Sequence, residues 1–255
     1  MPHHTSARWI PRLVAAGLLT APAGLSGQMS VTPSALQIPA ADTTASATVR
    51  VRNDSPRQIQ FRFYAMDFEQ VRSGDYTYQP LGAHAQSCGK RLSIYPDGAV
   101  LQPGESQVVR VEVAPGSGLC WSMLFAESAG EGSGPIKVAQ RAAVKVFGVA
   151  PGGEPEGEIV SVTPTRDARG TRVTLEFHNT GSVPVNPEGS LEIRKPDGEV
   201  AGSVAVPRFS VLPQHRRQVV LELEKGLPRG RYLLVPILDF GAEYLAGGQA
   251  TLIVP

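Results

Sequence analysis

The sequence predicts an all-β protein folded as two tandem β-sandwiches, and three observations carry this. First, one strand pattern is written twice. Val49-Arg50-Val51-Arg52-Asn53-Asp54-Ser55 returns as Val173-Thr174-Leu175-Glu176-Phe177-His178-Asn179-Thr180-Gly181. Leu101-Gln102-Pro103-Gly104, running into 107–113, returns as Leu212-Pro213, running into 218–223. Each copy is an alternating strand stopped at an Asn, followed later by a Pro turn and a second alternating strand. Alternation buries one face and wets the other. Asn tolerates the left-handed turn conformation, and Pro presets a turn's first bend. Second, 27 Gly and 22 Pro among 255 residues fit many turns between short strands and disfavour long helices. Third, short alternating segments recur at sandwich spacing, with no amphipathic helical pattern between them.

Taken in order, the chain opens with the pattern of an export signal over residues 1–27. Arg8 and Arg12 precede the apolar stretch 13–19, and Ala21-Pro22-Ala23 offers a cleavage site, with Ser26-Gly27 as a second. The stretch is too short to span a bilayer. A disordered tail is the other reading. His3 and His4 leave with the signal and are no metal ligands in the mature protein.

The first sandwich is expected over 28–150, with strands at 29–32, 48–53, 58–68, 92–95, 106–113, 120–127 and 136–149. The Pro- and Gly-rich run 151–157 reads as a linker, since such residues cannot join a ladder. The second sandwich is expected over 158–255, with strands at 158–163, 171–179, 190–194, 202–206, 217–224, 230–239 and 249–254. Seven strands in each half is the immunoglobulin-like pattern. Two complete strand sets imply two cores. Cys88 and Cys120 both fall in the first half, and in an exported protein an even count in one domain favours a disulfide. The closed loop would be about 33 residues, worth roughly 3–4 kcal/mol in the chain-entropy model. Two buried thiols are the alternative.

Composition excludes several functions. Lys and Arg (24) nearly balance Asp and Glu (23) and do not cluster, so the footprint of a nucleic-acid binder is missing. Gly104-Glu105-Ser106-Gln107-Val108 lacks the second Gly of a nucleophile elbow and opens a strand, so it is a turn. Gly130-Glu131-Gly132-Ser133-Gly134 has no following Lys-Ser/Thr and reads as a hairpin loop, not a phosphate cradle. His84, His178 and His215 stand apart with no carboxylate at ligand spacing, and two Cys alone do not make a zinc site. The acidic residues are scattered singly, with no pair placed for glycosidase work. The residues point to a binding protein, with no enzyme chemistry, no metal and no small-molecule cofactor.

One segment is more specific. The last strand of the first half, 136–149, is long, follows the Gly-rich loop and ends at the linker. Its second part, Lys145-Val146-Phe147-Gly148-Val149-Ala150-Pro151, resembles the end of the corresponding strand in periplasmic pilus-assembly chaperones of the chaperone–usher (PapD-like) family, where Lys-Leu-Phe-Tyr-Arg-Pro is typical. The export signal, two immunoglobulin-like halves and a Leu-x-Pro-Gly turn before a Val-rich strand agree. The resemblance implies a periplasmic protein that binds pilus- or fimbria-like subunits by strand addition, together with an outer-membrane usher. It implies Ile136, Val138 and Gln140 as residues facing the subunit, Gln140 being the weakest, and Lys145 as the cation for a carboxylate. The family's Arg in the first strand has no counterpart in Ser30-Val31-Thr32-Pro33-Ser34-Ala35-Leu36, and the Tyr-Arg before the linker Pro is Val149-Ala150. The alternative is a secreted or cell-surface immunoglobulin-like structural or binding protein without chaperone activity.

Overall fold

A computed structural model describes residues 29–40, 42–116, 118–129, 138–149, 152–168, 170–223 and 227–255. Residues 1–28, with the expected export signal, and Ile136 lie outside them. The first half holds β1 (Met29–Thr32), β2 (Ala35–Pro39), β3 (Ala45–Asn53), β4 (Ile59–Gln70), β5 (Tyr76–Pro80), β6 (Leu92–Tyr95), β7 (Gly98–Leu101), β8 (Ser106–Val113), β9 (Cys120–Ser128) and β10 (Arg141–Val149). The second holds β11 (Gly157–Asp167), β12 (Gly170–Asn179), β13 (Glu188–Arg194), β14 (Val200–Val206), β15 (Arg216–Glu222), β16 (Gly230–Asp239), β17 (Ala246–Gly247) and β18 (Ala250–Val254). The helical content among the described residues is one 3-10 turn, Gly89–Arg91.

Each half is a sandwich of two sheets. In the first, the sheet β1-β3-β8-β6 faces the sheet β2-β10-β9-β4-β5, with β7 also on β4. In the second, β11-β12-β15 faces β14-β13-β16-β17, with β18 also on β16. Alternation sets what lies between the layers. Val49 and Val51 of β3 and Val109, Val111 and Val113 of β8 meet Phe61 and Phe63 of β4, Leu124 of β9, and Val144 and Val146 of β10. The second core repeats the plan with Val173, Leu175 and Phe177 against Leu191, Ile193, Leu234 and Leu238. The observed strands overlap those expected from alternation, the last strand of the first half is regular only from Arg141, and β2, β5, β7 and β17 are additions.

The duplicated pattern is duplicated in atoms. Asn53 is fully buried, and its Nδ2 donates to the carbonyls of Arg57 (2.7 Å) and Leu101 (2.9 Å). Asn179 is equally buried and donates to Val183 O (2.8 Å) and Val211 O (3.1 Å). The Pro turn answers in both halves: Gly104 N–H donates to Asn53 O at 2.8 Å, and Gln214 N–H to Asn179 O at 2.9 Å. Gly104 (φ 77°) and Gln214 (φ 61°) are the left-handed residues, so the strained conformation falls on the Pro turn and not on the Asn. The Asn is kept for its side chain, whose donors satisfy two turn carbonyls that would otherwise be buried unpaired.

Cys88 and Cys120 are bridged, with Cα atoms 4.9 Å apart. The bridge ties the loop after β5 to the start of β9. Gly148 of β10 packs against it, because an added Cβ would come within 2.8 Å of Cys120 Sγ and 3.0 Å of Val113. Asp67, fully buried in β4, holds the same loop: it accepts hydrogen bonds from Gly82 N (2.8 Å), His84 N (2.9 Å), Ser87 Oγ (2.6 Å) and Ser122 Oγ (3.2 Å).

A third cluster joins the halves. Leu212, from the Pro turn of the second half, is buried among Phe68, Trp121, Met123, Phe125 and Phe147 of the first. Gln70 clamps the turn from both sides, donating to Ser210 O (2.9 Å) and accepting from Leu212 N (3.2 Å). Gln218 N–H donates to Arg72 O at 2.7 Å. The two cores expected from the sequence are present, and they are coupled through this contact.

Candidate functional site: the open edge of β10 and its outer face

Strand β10 is a sheet neighbour on one side over its whole length and on the other over half of it. It pairs antiparallel with β9 from Arg141 to Gly148. On the far side β2 runs parallel to it, but only opposite Lys145–Val149. Lys145 N–H donates to Ser34 O at 3.1 Å, so by the two-residue period the backbone groups of Arg141 and Ala143 point to the same side. Among the described residues no strand pairs with them there. An open edge of this kind is a template for another strand.

Of the residues expected to face a partner, Val138 and Gln140 are described and lie just before the start of β10. Val138 is 66% exposed. Gln140 is half-buried, donates from its backbone to Ser128 Oγ (2.9 Å) and accepts from Ser128 N (2.9 Å). The long strand expected over 136–149 is thus regular only from Arg141. Lys145 lies five residues beyond Gln140, where β2 takes over the edge. The structure does not gather these residues into one cluster; it lays them along one edge.

The outer face of the sheet, away from the first core, is the part that residue-by-residue reading missed. Registers place Arg141, Ala143, Lys145 and Phe147 of β10 beside Glu127, Phe125, Met123 and Trp121 of β9. Arg62, Tyr64 and Met66 of β4 come next, and Tyr76 and Tyr78 of β5 close the row. Leu212 packs against this face at Phe68, Trp121, Met123, Phe125 and Phe147. Lys145 Nζ stands over the Tyr76 ring, 5.2 Å from its centroid, a cation–π geometry. Tyr76 packs edge-on to Phe68 and meets Gln70 (3.4 Å), which clamps the second half. Lys145 is therefore near the junction of the two halves, and residues 29–39 beside it contain no cation.

Arg141 rests on an aromatic shelf. Its guanidinium is 4.4 Å from the Phe125 centroid and 5.6 Å from that of Tyr78. It donates to Tyr64 Oη at 3.4 Å, and Tyr64 donates in turn to Glu127 at 2.6 Å. That hydrogen bond to Tyr64, helped by the charge of Glu127, moves the Arg141 pKa above its ordinary value. Arg62 reaches Glu127 at 3.4 Å and lies over the Tyr64 ring, 4.7 Å from its centroid. A signal for this layer was present in the period-two spacing of Arg141, Ala143, Lys145 and Phe147 and of Tyr76 and Tyr78. Among the described residues no group of His, Cys, Asp or Glu is arranged to hold a metal ion.

Fold and edge together define a two-sandwich protein whose first domain ends in a half-open strand. No protein-family model matches the chain, and no curated protein matches it in sequence. Solved structures do match. One is a chain of the chaperone–tip adhesin complex described as vital for activation of CFA/I fimbriae biogenesis, with TM-score 0.50 and 14% identity over 89% of this chain and 99% of that one. The class 5 fimbriae chaperone CfaA matches with TM-score 0.47 and 15% identity over 89% and 99%. A chain of the CsuC–CsuE pre-assembly complex from the Csu pili of Acinetobacter baumannii matches with TM-score 0.47 and 11% identity over 87% and 97%. At such identities the likeness is one of fold. The chain has the two-domain immunoglobulin-like fold of the first of these over nearly all its described length.

Proposed function

We propose that this protein is a periplasmic chaperone of the chaperone–usher type, which binds pilus- or fimbria-like subunits by adding their strand to the edge of β10. The observation that carries this reading is the half-open edge: β2 pairs with Lys145–Val149, and among the described residues no strand pairs with Arg141 to Val144 on that side. A long free edge in a secreted protein is a liability unless it has a use. Strand addition supplies backbone hydrogen bonds for affinity, and alternate side chains select the partner. In this reading Ile136, Val138 and Gln140 face the subunit. Lys145 holds its carboxylate by a charge-assisted hydrogen bond, and an outer-membrane usher is the second partner. Residues 1–27 direct export and are removed, 28–150 form the binding domain, 151–157 link it to 158–255, and no catalysis is involved.

The test is recovery of periplasmic partners with wild type and two variants, circular dichroism checking the fold. Val138→Asp should abolish recovery and leave the domain folded, because this side chain is two-thirds exposed. Lys145→Ala should weaken binding by about 1.5 kcal/mol, the low end for a charged hydrogen bond, since no second cation stands beside it on β2. If Val138→Asp unfolds the domain, that side chain belongs to the core. If both variants fold and keep every partner, the alternative of an immunoglobulin-like structural or binding protein takes over.

A further inference from the structure

We infer that the cavity where the two halves meet the linker is a binding site for an organic cation, an ammonium or guanidinium carried on a hydrocarbon stem. The site is separate from the edge of β10 and does not depend on strand addition. The cavity measures about 530 Å³, the size of a small-molecule site, and such sites form preferentially where domains meet. Leu119 and Trp121 line it from the first half, Glu154 and Glu156 from the linker, and Pro213 and His215 from the Pro turn of the second half.

The walls are fixed by the fold itself. Glu156 O accepts from the N–H groups of Thr180 (3.0 Å) and Gly181 (3.1 Å), and Glu154 O accepts from Ser182 N–H (3.2 Å). Glu154 N–H donates in turn to Ser182 Oγ at 3.1 Å. A Cβ on Gly181 would lie 2.5 Å from Glu156 N and 2.6 Å from Glu154 O, so glycine lets the linker pack this closely. The backbone that carries both carboxylates is thereby held. Glu154 and Glu156 are exposed while lining the cavity, which puts them at its mouth. The inner wall is aromatic: Trp121 and His215 meet edge to face, ring centroids 6.0 Å apart. Their ring N–H groups are engaged elsewhere, Trp121 Nε1 with Phe68 O (3.1 Å) and His215 Nδ1 with Pro213 O (2.8 Å). His215 Nε2 is left as an acceptor.

This make-up selects a ligand by charge. Among the described residues that line the cavity none is Lys or Arg, so an anion meets two carboxylates and no cation. A neutral polar group would form weaker hydrogen bonds there than a charged one. An ammonium or guanidinium gains charge-assisted hydrogen bonds at the mouth, and its stem lies along Leu119, Pro213 and the rings.

The probes are cadaverine and a capped Gly-Arg-Gly peptide, with a neutral Gly-citrulline-Gly twin of the same shape. Binding is read by tryptophan emission and by titration calorimetry on the chain without residues 1–27, in which Trp121 is the single tryptophan. The Arg peptide should saturate both signals with a dissociation constant of about 1–5 mM, weak as befits a small ligand at an open mouth. The citrulline twin should bind about tenfold more weakly, the loss expected for a charged hydrogen bond. The double variant Glu154→Gln, Glu156→Gln, with circular dichroism checking the fold, should lose the same factor, and high salt should weaken the cation alone. Saturation by the Arg peptide but not by cadaverine assigns the site to a protein side chain, and the reverse assigns it to a free amine; either result supports the cation site. Equal binding of the citrulline twin overturns the inference, and so does unchanged affinity in the folded double variant. Failure of both cations to saturate the wild type overturns it as well, and none of these results bears on strand addition.

Discussion

Replacing Leu212 by Ala tests how the two sandwiches are held together. Leu212 is 1% exposed and belongs to the second half, but its neighbours are Phe68, Trp121, Met123, Phe125 and Phe147 of the first. The substitution removes three carbons, a transfer loss of about 2.4 kcal/mol at roughly 0.8 per carbon. A cavity term adds to this, because the walls are large rings and Gln70 pins the Leu212 backbone at 3.2 Å, so the site cannot close over the gap. The expected loss is about 3–4 kcal/mol, within the range for buried Leu→Ala changes. Urea unfolding followed by tryptophan emission is the assay. With residues 1–27 removed, Trp121 is the single tryptophan, and its ring lies in this contact, 6.0 Å from that of His215. The variant should also show a changed native emission. A loss below about 1 kcal/mol with unchanged emission would refute the reasoning, since large-to-small changes in a packed site cost more.

Three further outcomes are expected. Thiol titration of the denatured, unreduced protein should find no free thiol, and reduction should cost roughly 3–4 kcal/mol for a bridge spanning 32 residues; two free thiols would contradict the bridge. Asp67→Ala should destabilise by about 3 kcal/mol because it strands several donors around a buried carboxylate site. Asp67→Asn should cost less by keeping one acceptor, and limited proteolysis should then cut first in the loop after β5 (81–91); resistance of that loop in Asp67→Ala would count against the clamp. Gln70→Ala should reduce stability by roughly 1–3 kcal/mol by leaving Leu212 N–H unpaired in a buried place, as read by the same urea assay.

Strands whose alternation is strong, such as β3, β8 and β12, are legible in the sequence because one face of each is buried and the other wet. The missed strands carry weaker signals. β2 alternates Leu36 and Ile38 but is bracketed by Pro33 and Pro39, and β5 is mostly exposed. The duplicated Asn was found for an incomplete reason, since its backbone is extended and its side chain does the pairing. Lys145 and Val138 were expected at a binding edge only because the stretch 145–151 resembles a known pattern. The outer aromatic face was not. β9 is buried on both faces, and its second burial depends on Leu212, which lies about ninety residues further on; local periodicity does not report a contact at that distance. Gln70 gave no signal either, because a polar residue becomes a clamp only through the backbone it meets.

The most direct measurement is amide hydrogen exchange along β10, with the protein free and bound to its partner. In the free protein Lys145, whose N–H donates to Ser34 O, should be protected, while Arg141 and Ala143 exchange quickly because among the described residues no strand pairs with them on that side. In the complex, strand addition predicts that the Arg141 and Ala143 amides become as protected as that of Lys145. Fast exchange at both residues in a saturated complex would contradict strand addition at this edge.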